Sequence, residues 1–292
     1  MRTGKERPPG AARRTVALAA GVGILLAVTA AVWMTRPSLA GLVDDDLDAA
    51  PGRESSAYRA PSRDDARDVA NYVETLLRAD GAPPPPPAGW RLTELDGVLV
   101  VAPVGRARDR GWGTYAVRPG GRPLDVQVPH PRSDRRTEEM GLALFQATQA
   151  RLLMVAGAHR TAGGGDADVA HRSDTVFAAV SSDVVDEDTV VVQLHGFAPD
   201  QHDAPSDVIV SSGTREGSRL VRRIVRALDD AALDACVYGD GCDVLGGTRN
   251  VQAEAAREAG AQFLHVEVSA RVRDDDDRRD LLVRTLGAAL LR

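Results

Sequence analysis

Two histidines close apolar runs in this 292-residue chain: His130 follows LDVQVP and His195 follows VVVQL. Asp134 comes four residues after His130, and Thr137, Glu138 and Glu139 then stand where a helix would start. Two imidazoles and one carboxylate, carried by the ends of separate strands, form a ligand set for a divalent cation that leaves a position open for water. Imidazole offers a borderline nitrogen donor suited to zinc, and the carboxylate lowers the cation's charge without quenching its acidity. A third apolar run, QFLHVEV, holds Glu267 near its end, where a carboxylate suits a general base acting on water. Arg271 and Arg273 follow it, and His159-Arg160 come just after RLLMVAG. An arginine at either place can grip a substrate carboxylate with two parallel hydrogen bonds. Asp168 and His171 lie in DADVAHRSDTVF, just before a helix, where solvated loop charges are the plain alternative. His202 sits in a polar loop and reads as surface, and His265 alternates with buried positions and reads as structural.

Such residues must be placed by strands, because ligands of open α/β sheets bind beyond the carboxyl ends of the strands. Strand candidates are 98–102, 113–117, 124–128, 152–156, 189–194, 208–210, 235–238 and 263–268. Helical periods fall near 137–149, 173–181, 216–229, 251–259 and 278–291. Val190-Val191-Val192 and Leu152-Leu153-Met154-Val155 are apolar on both faces, as in strands covered on both sides. The alternation predicts a three-layer α/β domain. No helix separates the first strands, so the sheet should be mixed and mostly parallel.

Four motifs in order resemble the zinc carboxypeptidase-like amidohydrolases, above all the poly-γ-glutamate hydrolase group and more distantly the N-formylglutamate amidohydrolases. They are VPHPRSDRRTEE, VAHRSDTVF, VVQLHGF and FLHVEVSARVR, within residues 124–273. The resemblance implies a zinc carboxypeptidase/phosphorylase-hydrolase-like sheet. It implies zinc held by His130, Asp134 and His195, with Glu267 as the catalytic carboxylate and Ser269 behind it. It also implies His171 as a pocket or oxyanion residue, and Arg160 or Arg273 on a substrate carboxylate. Two departures stand out: the acid is Asp134 at i+4 rather than a glutamate at i+5, and His265 replaces an expected glutamine.

The chain carries a net charge of −6. Residues 1–14 hold five basic groups and one acid, so the remainder carries −10, which argues against nucleic acid as a partner. Residues 15–35 are uncharged, and 21 residues at 1.5 Å each span roughly 30 Å, one hydrocarbon core. The basic flank places residues 1–14 in the cytoplasm, 15–35 across the bilayer and the rest outside the cell membrane. Cleavage after Ser38-Leu39-Ala40 is the rival reading, and Arg13-Arg14 also permits twin-arginine export.

Residues 36–89 read as a linker with a helix at 62–80 and a proline run at 83–87, and the catalytic domain as 90–292. Cys236 and Cys242 can pair across a short loop in an oxidising compartment. With 4% aromatic residues, aliphatic side chains must fill the core. The expected function is an extracytoplasmic zinc-dependent amidohydrolase or carboxypeptidase acting on acidic peptides or γ-glutamyl and cell-envelope substrates. The alternative is a non-catalytic tethered domain that binds envelope ligands. A serine hydrolase is excluded by the lack of a G-x-S-x-G elbow.

Overall fold

Three runs that turn from apolar to alternating near their ends lie side by side as parallel strands: β4 (Arg122–Val128), β6 (Val190–Phe197) and β10 (Gln262–Ser269). The computed structural model describes Met1, residues 37–200 and residues 202–292, so the apolar run at 15–35 lies outside the described residues. Among the described residues no helix is long and apolar enough to cross a membrane. Residues Leu39–Arg292 form one compact unit.

Around the three central strands the sheet adds β1 (Trp90–Leu95), β2 (Val98–Pro103), β3 (Thr114–Val117), β5 (Ala150–Val155), β7 (Val208–Ser211), β8 (Ala235–Tyr238) and β9 (Gly241–Cys242). The order is β1-β2-β3-β5-β4-β6-β10-β7-β8-β9. Strands β5, β4, β6 and β10 run parallel, β1–β3 form an antiparallel meander on one side, and β7 turns antiparallel to β10. The expected mixed sheet is therefore present, with β1 and β9 added to the strands that periodicity had marked.

Strand alternation splits the core in two. On one face Val126, Leu153, Val192, Leu264 and Val266 pack with helices α1 (Leu39–Asp48), α3 (Thr137–Thr148), α5 (Arg219–Asp230) and α7 (Asp276–Leu290). On the other, Leu99, Val101, Tyr115, Leu152 and Met154 pack with α2 (Arg63–Arg78) and α4 (Val176–Val184). Helix α6 (Val251–Glu258) covers Val191 and Phe263. Helix α2 starts at a reciprocal capping box, Ser62 with Asp65, and buries Val69, Tyr72, Val73 and Leu76, the face its spacing predicts.

The reading of residues 36–89 as a linker outside the domain is corrected: the compact unit begins at Leu39, not Trp90. Leu39 and Val43 of α1 enter the core. Asp46 is buried, accepts from the Thr114 hydroxyl at 2.8 Å, and pairs with Arg91 and Arg108. Beyond α1 the chain runs as a strap. The Pro51 carbonyl accepts from the His159 N–H, the Ser55 carbonyl from the Gly163 N–H (2.8 Å each), and the Arg59 carbonyl from Trp112 Nε1 at 2.7 Å. These are backbone acceptors in a segment, residues 49–61, with no apolar periodicity, so the side-chain pattern carries no trace of them.

Glu138, in the first turn of α3, gives a stability test. Burial, with Glu139 and Asp44 nearby, pushes its carboxyl from 4.5 up to about 6, against the lowering effect of backbone N–H groups at the helix start. Its Oε2 is buried without a hydrogen bond among the described residues. The folded state therefore prefers the protonated form, and that stabilisation is lost as pH rises through about 6. Glu138→Gln should change little below about pH 4 and raise stability by about 1 kcal/mol at pH 8, discounted for partial exposure. Urea midpoints at the two pH values check this; an equal shift at both, or none, refutes it.

Candidate metal centre

After Val128 the strand β4 ends at Pro129, and the chain makes one tight turn. The Asp134 N–H donates to the His130 carbonyl at 2.7 Å, while the N–H and hydroxyl of Thr137 donate to the Asp134 carbonyl at 3.2 and 2.7 Å. That turn returns the Asp134 side chain to His130. In β6, Gln193 and His195 share a face, and in β10, His265 and Glu267 share the same one. The register sets Gln127 beside Gln193, Gln193 beside His265, and His195 beside Glu267. The opposite faces carry Val192, Leu194, Val266 and Val268, all in the core. A strand that is apolar on one face and polar on the other over its last residues thus delivers three chemical side chains to one point.

At that point His130 Nδ1 and His195 Nδ1 lie 3.5 and 3.6 Å from one oxygen, Asp134 Oδ2, and the three ligand atoms fit within 4.8 Å of one another. The outer nitrogens are held elsewhere: His130 Nε2 meets Asp168 Oδ1 at 2.8 Å, and His195 Nε2 meets Gln193 Oε1 at 2.7 Å. Asp134 Oδ2 also accepts the Gly196 N–H at 3.2 Å. A Cβ at Gly196 would lie 2.4 Å from Arg273 Nε, so glycine is required beside His195. His130 Nδ1 is buried and has no hydrogen bond among the described residues, in a set of two nitrogens and one carboxylate oxygen. The residues present therefore fit a tetrahedral cation such as zinc, with the outer nitrogens fixed as such ligands require.

The charges agree with that reading. Burial raises the Asp134 and Asp168 carboxyls, but the adjacent imidazoles outweigh it and hold both well below the usual carboxylate range. Burial pushes His195 down to about 4. It acts the same way on His130, where Asp134 and Asp168 more than reverse it. His265 is driven well below its ordinary value by burial and by His195. Burial and the Asp134 charge push Glu267 up to about 8, and a bound dication would oppose that shift.

His195, His265 and Glu267 form a second group of potential ligands within 4.8 Å. It shares His195 with the first. Because Nε2 of His195 is committed to Gln193, only Nδ1 is available, and Nδ1 faces Asp134. With a cation held by His130, Asp134 and His195, Glu267 would stand beside it rather than among its ligands.

The centre opens into a cavity of about 370 Å³ whose wall includes Arg160, His171, Gly247, Arg249, His265 and Glu267. His171 lies on the wall as expected, with Nδ1 3.1 Å from Asp168. Arg160 lies there too, but its guanidinium is paired with Asp168 at 2.9 Å. Arg273 is corrected: it is buried behind β6 and β10, donating to the carbonyls of Val268, Phe197 and Arg135, and it does not line the cavity. Its three carbonyl partners make it a brace between strand ends. Ser269 donates to Asp207 at 2.7 Å. Cys236 and Cys242 are joined as a disulfide at the sheet edge.

Sequence reasoning placed Asp168 beside His171 without a role, although it gathers His130, Arg160 and His171, and it missed Arg249, an exposed cation on the cavity wall with no ion pair among the described residues. It also placed His265 among the structural residues. The i, i+2 spacing of His265 and Glu267 put them on one face and was the available signal. The role of Asp168 had none, since a loop of three positive-φ glycines at 163–165 brings it in.

No family model matches this chain, and no curated protein matches it. Solved structures similar to it include a bacteriophage poly-gamma-glutamate hydrolase, at 16% identity over 58% of this chain and 84% of that one, with a TM-score of 0.43. An N-formylglutamate amidohydrolase from Ralstonia eutropha has 15% identity over 59% and 92%, TM-score 0.40. A metallo-carboxypeptidase from Burkholderia cenocepacia has 11% identity over 80% and 69%, TM-score 0.41.

Proposed function

We propose that this chain is a zinc-dependent hydrolase of amide bonds. One observation carries the reading: two buried imidazole Nδ1 atoms and one carboxylate oxygen converge where an open cavity meets the sheet, with a second acidic group, Glu267, beside them. His130, Asp134 and His195 would hold the ion, which supplies Lewis acidity toward a scissile carbonyl and an attacking water. Asp168 keeps His130 turned with its Nδ1 inward. Glu267, desolvated and aimed into the cavity, takes the proton of the attacking water and delivers it to the leaving amine. Arg249, at the wall and without an ion pair among the described residues, replaces Arg273 as the cation for a substrate carboxylate, with Arg160 beside Asp168 as a second. His171 stands where a polar group of the substrate would pass. The proposed substrates are acidic peptides, γ-glutamyl chains or cell-envelope amides.

The test is hydrolysis of a panel of γ-glutamyl and stem-peptide amides by the full chain, before and after chelation. We expect cleavage that chelation abolishes and zinc restores. Chelator-resistant cleavage refutes the zinc role, and binding of these peptides without cleavage replaces the enzyme with a binding module.

The proposal includes anchoring of residues 15–35 in the cell membrane, with the catalytic unit outside. The uncharged run with its basic flank supports it, as does a disulfide, which persists in oxidising compartments. A cut after Ala40 would split α1 and remove the buried Leu39, which favours an uncleaved anchor. A reporter fused after Arg292 should be active only outside the cytoplasm; cytoplasmic activity refutes the topology.

A further inference from the structure

Beneath His195 lies a chain of buried amides, Gln127, Gln193, Asn250 and Gln252, each at most 4% exposed. It starts at a helix. Asn250 caps α6, its Oδ1 accepting the N–H groups of Gln252 at 3.0 Å and Ala253 at 3.1 Å. The cap fixes which end of the Asn250 amide is nitrogen, and that nitrogen donates to Gln193 Oε1. The Gln193 nitrogen in turn donates to Gln127 Oε1 at 2.9 Å and Gln252 Oε1 at 3.1 Å. The far side is pinned as well, since Gln252 Nε2 donates to the Val169 carbonyl at 2.8 Å. Reversing the Gln193 amide would set nitrogen against nitrogen at Asn250 and oxygen against oxygen at Gln127 and Gln252. All four side chains are buried, and a half-satisfied buried network is costly.

We infer that the tautomer of His195 is dictated from the N-terminus of α6 through Asn250 and Gln193, which makes these two amides positioning residues for the metal centre. Gln193 Oε1 can only accept, so His195 Nε2 must carry the hydrogen and Nδ1 must present its lone pair. Without that constraint the carboxylate of Asp134, 3.6 Å from Nδ1, would draw the hydrogen to Nδ1 and block the ligand position. The amide chain opposes this pull, and it does so from a helix that also ends the cavity-wall segment Gly247–Arg249.

This rests on the zinc reading for its consequence but not for the tautomer, so two readouts separate them. Nitrogen-15 spectra of the metal-free full chain, labelled at histidine, should show His195 with its hydrogen on Nε2. Asn250→Asp keeps a side-chain acceptor for the α6 cap but loses the donor to Gln193, which should turn the amide and move the His195 hydrogen to Nδ1. Zinc affinity, measured by chelator competition, should fall about 10–100-fold. If Asn250→Asp does not fold, Gln193→Met removes the acceptor directly and is read the same way. Hydrogen on Nδ1 in the unsubstituted chain overturns the inference, as does a variant that leaves tautomer or zinc affinity unchanged. If the tautomer moves as expected but neither protein binds zinc, the metal reading fails and the amide control of His195 stands.

Discussion

Glu267→Gln should leave zinc bound and substrate affinity nearly unchanged while turnover falls by a factor on the order of 10²–10⁴. Glu267 is in register with His195 on the adjacent parallel strand, so its side chain emerges beside the proposed ligands at a fixed height. Its carboxylate faces His265 Nε2 at 3.8 Å and makes no hydrogen bond to another described residue. A carboxylate that held the fold together would be tied to backbone or to a close cation, as Asp207 is to Ser269 and Arg278. Glutamine keeps the volume and a polar end but cannot take the proton from water. Turnover and zinc content are therefore read on the same preparation. Full turnover in the variant makes Glu267 a structural carboxylate; loss of zinc along with activity makes it a ligand. Either result removes the proposed base.

The second large effect concerns the ion itself. The full chain should hold about one zinc, and His130→Ala or His195→Ala should reduce that to a small fraction, since two remaining protein ligands hold zinc poorly. The His130 change leaves Asp134 and Asp168 facing each other without the imidazole between them, so a fall in stability is expected too. Asp134→Asn separates the two effects: it keeps the Gly196 N–H acceptor and the shape but removes the charge that compensates the cation. Zinc retained at full occupancy in all three variants rules out the His130/Asp134/His195 centre.

Much of this centre was legible because strands encode it twice. LDVQVPH, VVVQLHGF and FLHVEVS each alternate an apolar residue for the core with a polar one for the site, and their order gives the sheet its chemistry. The helices with one apolar face were equally plain; α5 buries Leu220, Val221, Ile224, Val225 and Leu228, and its four arginines face out. What sequence hid depends on contacts between distant segments. Arg273 looks like a substrate cation by its place after Glu267, yet its donors are spent on three carbonyls that only the folded strand ends bring together. Asn250 reads as an ordinary cap, because the amide that receives its other end is 57 residues away in β6. Residues 49–61 look like spacer, because they act through backbone carbonyls and isolated buried side chains such as Tyr58 rather than through a periodic face.

That strap also sets a timetable. Its carbonyls at Pro51 and Ser55 hold His159 and Gly163, next to Arg160 and the loop that carries Asp168. A ribosome delivers the strap first, and its partners follow about a hundred residues later, roughly 5–20 s at ~5–20 residues per second. During that interval the earliest part of the domain has no β5 loop to fasten, and a segment that holds Pro51, Gly52, two serines and the charges of Arg53, Glu54 and Arg59 can wait without collapsing onto the wrong strand edge. The polar composition that disguises the strap as a linker is thus suited to a clasp that is made early and closed late.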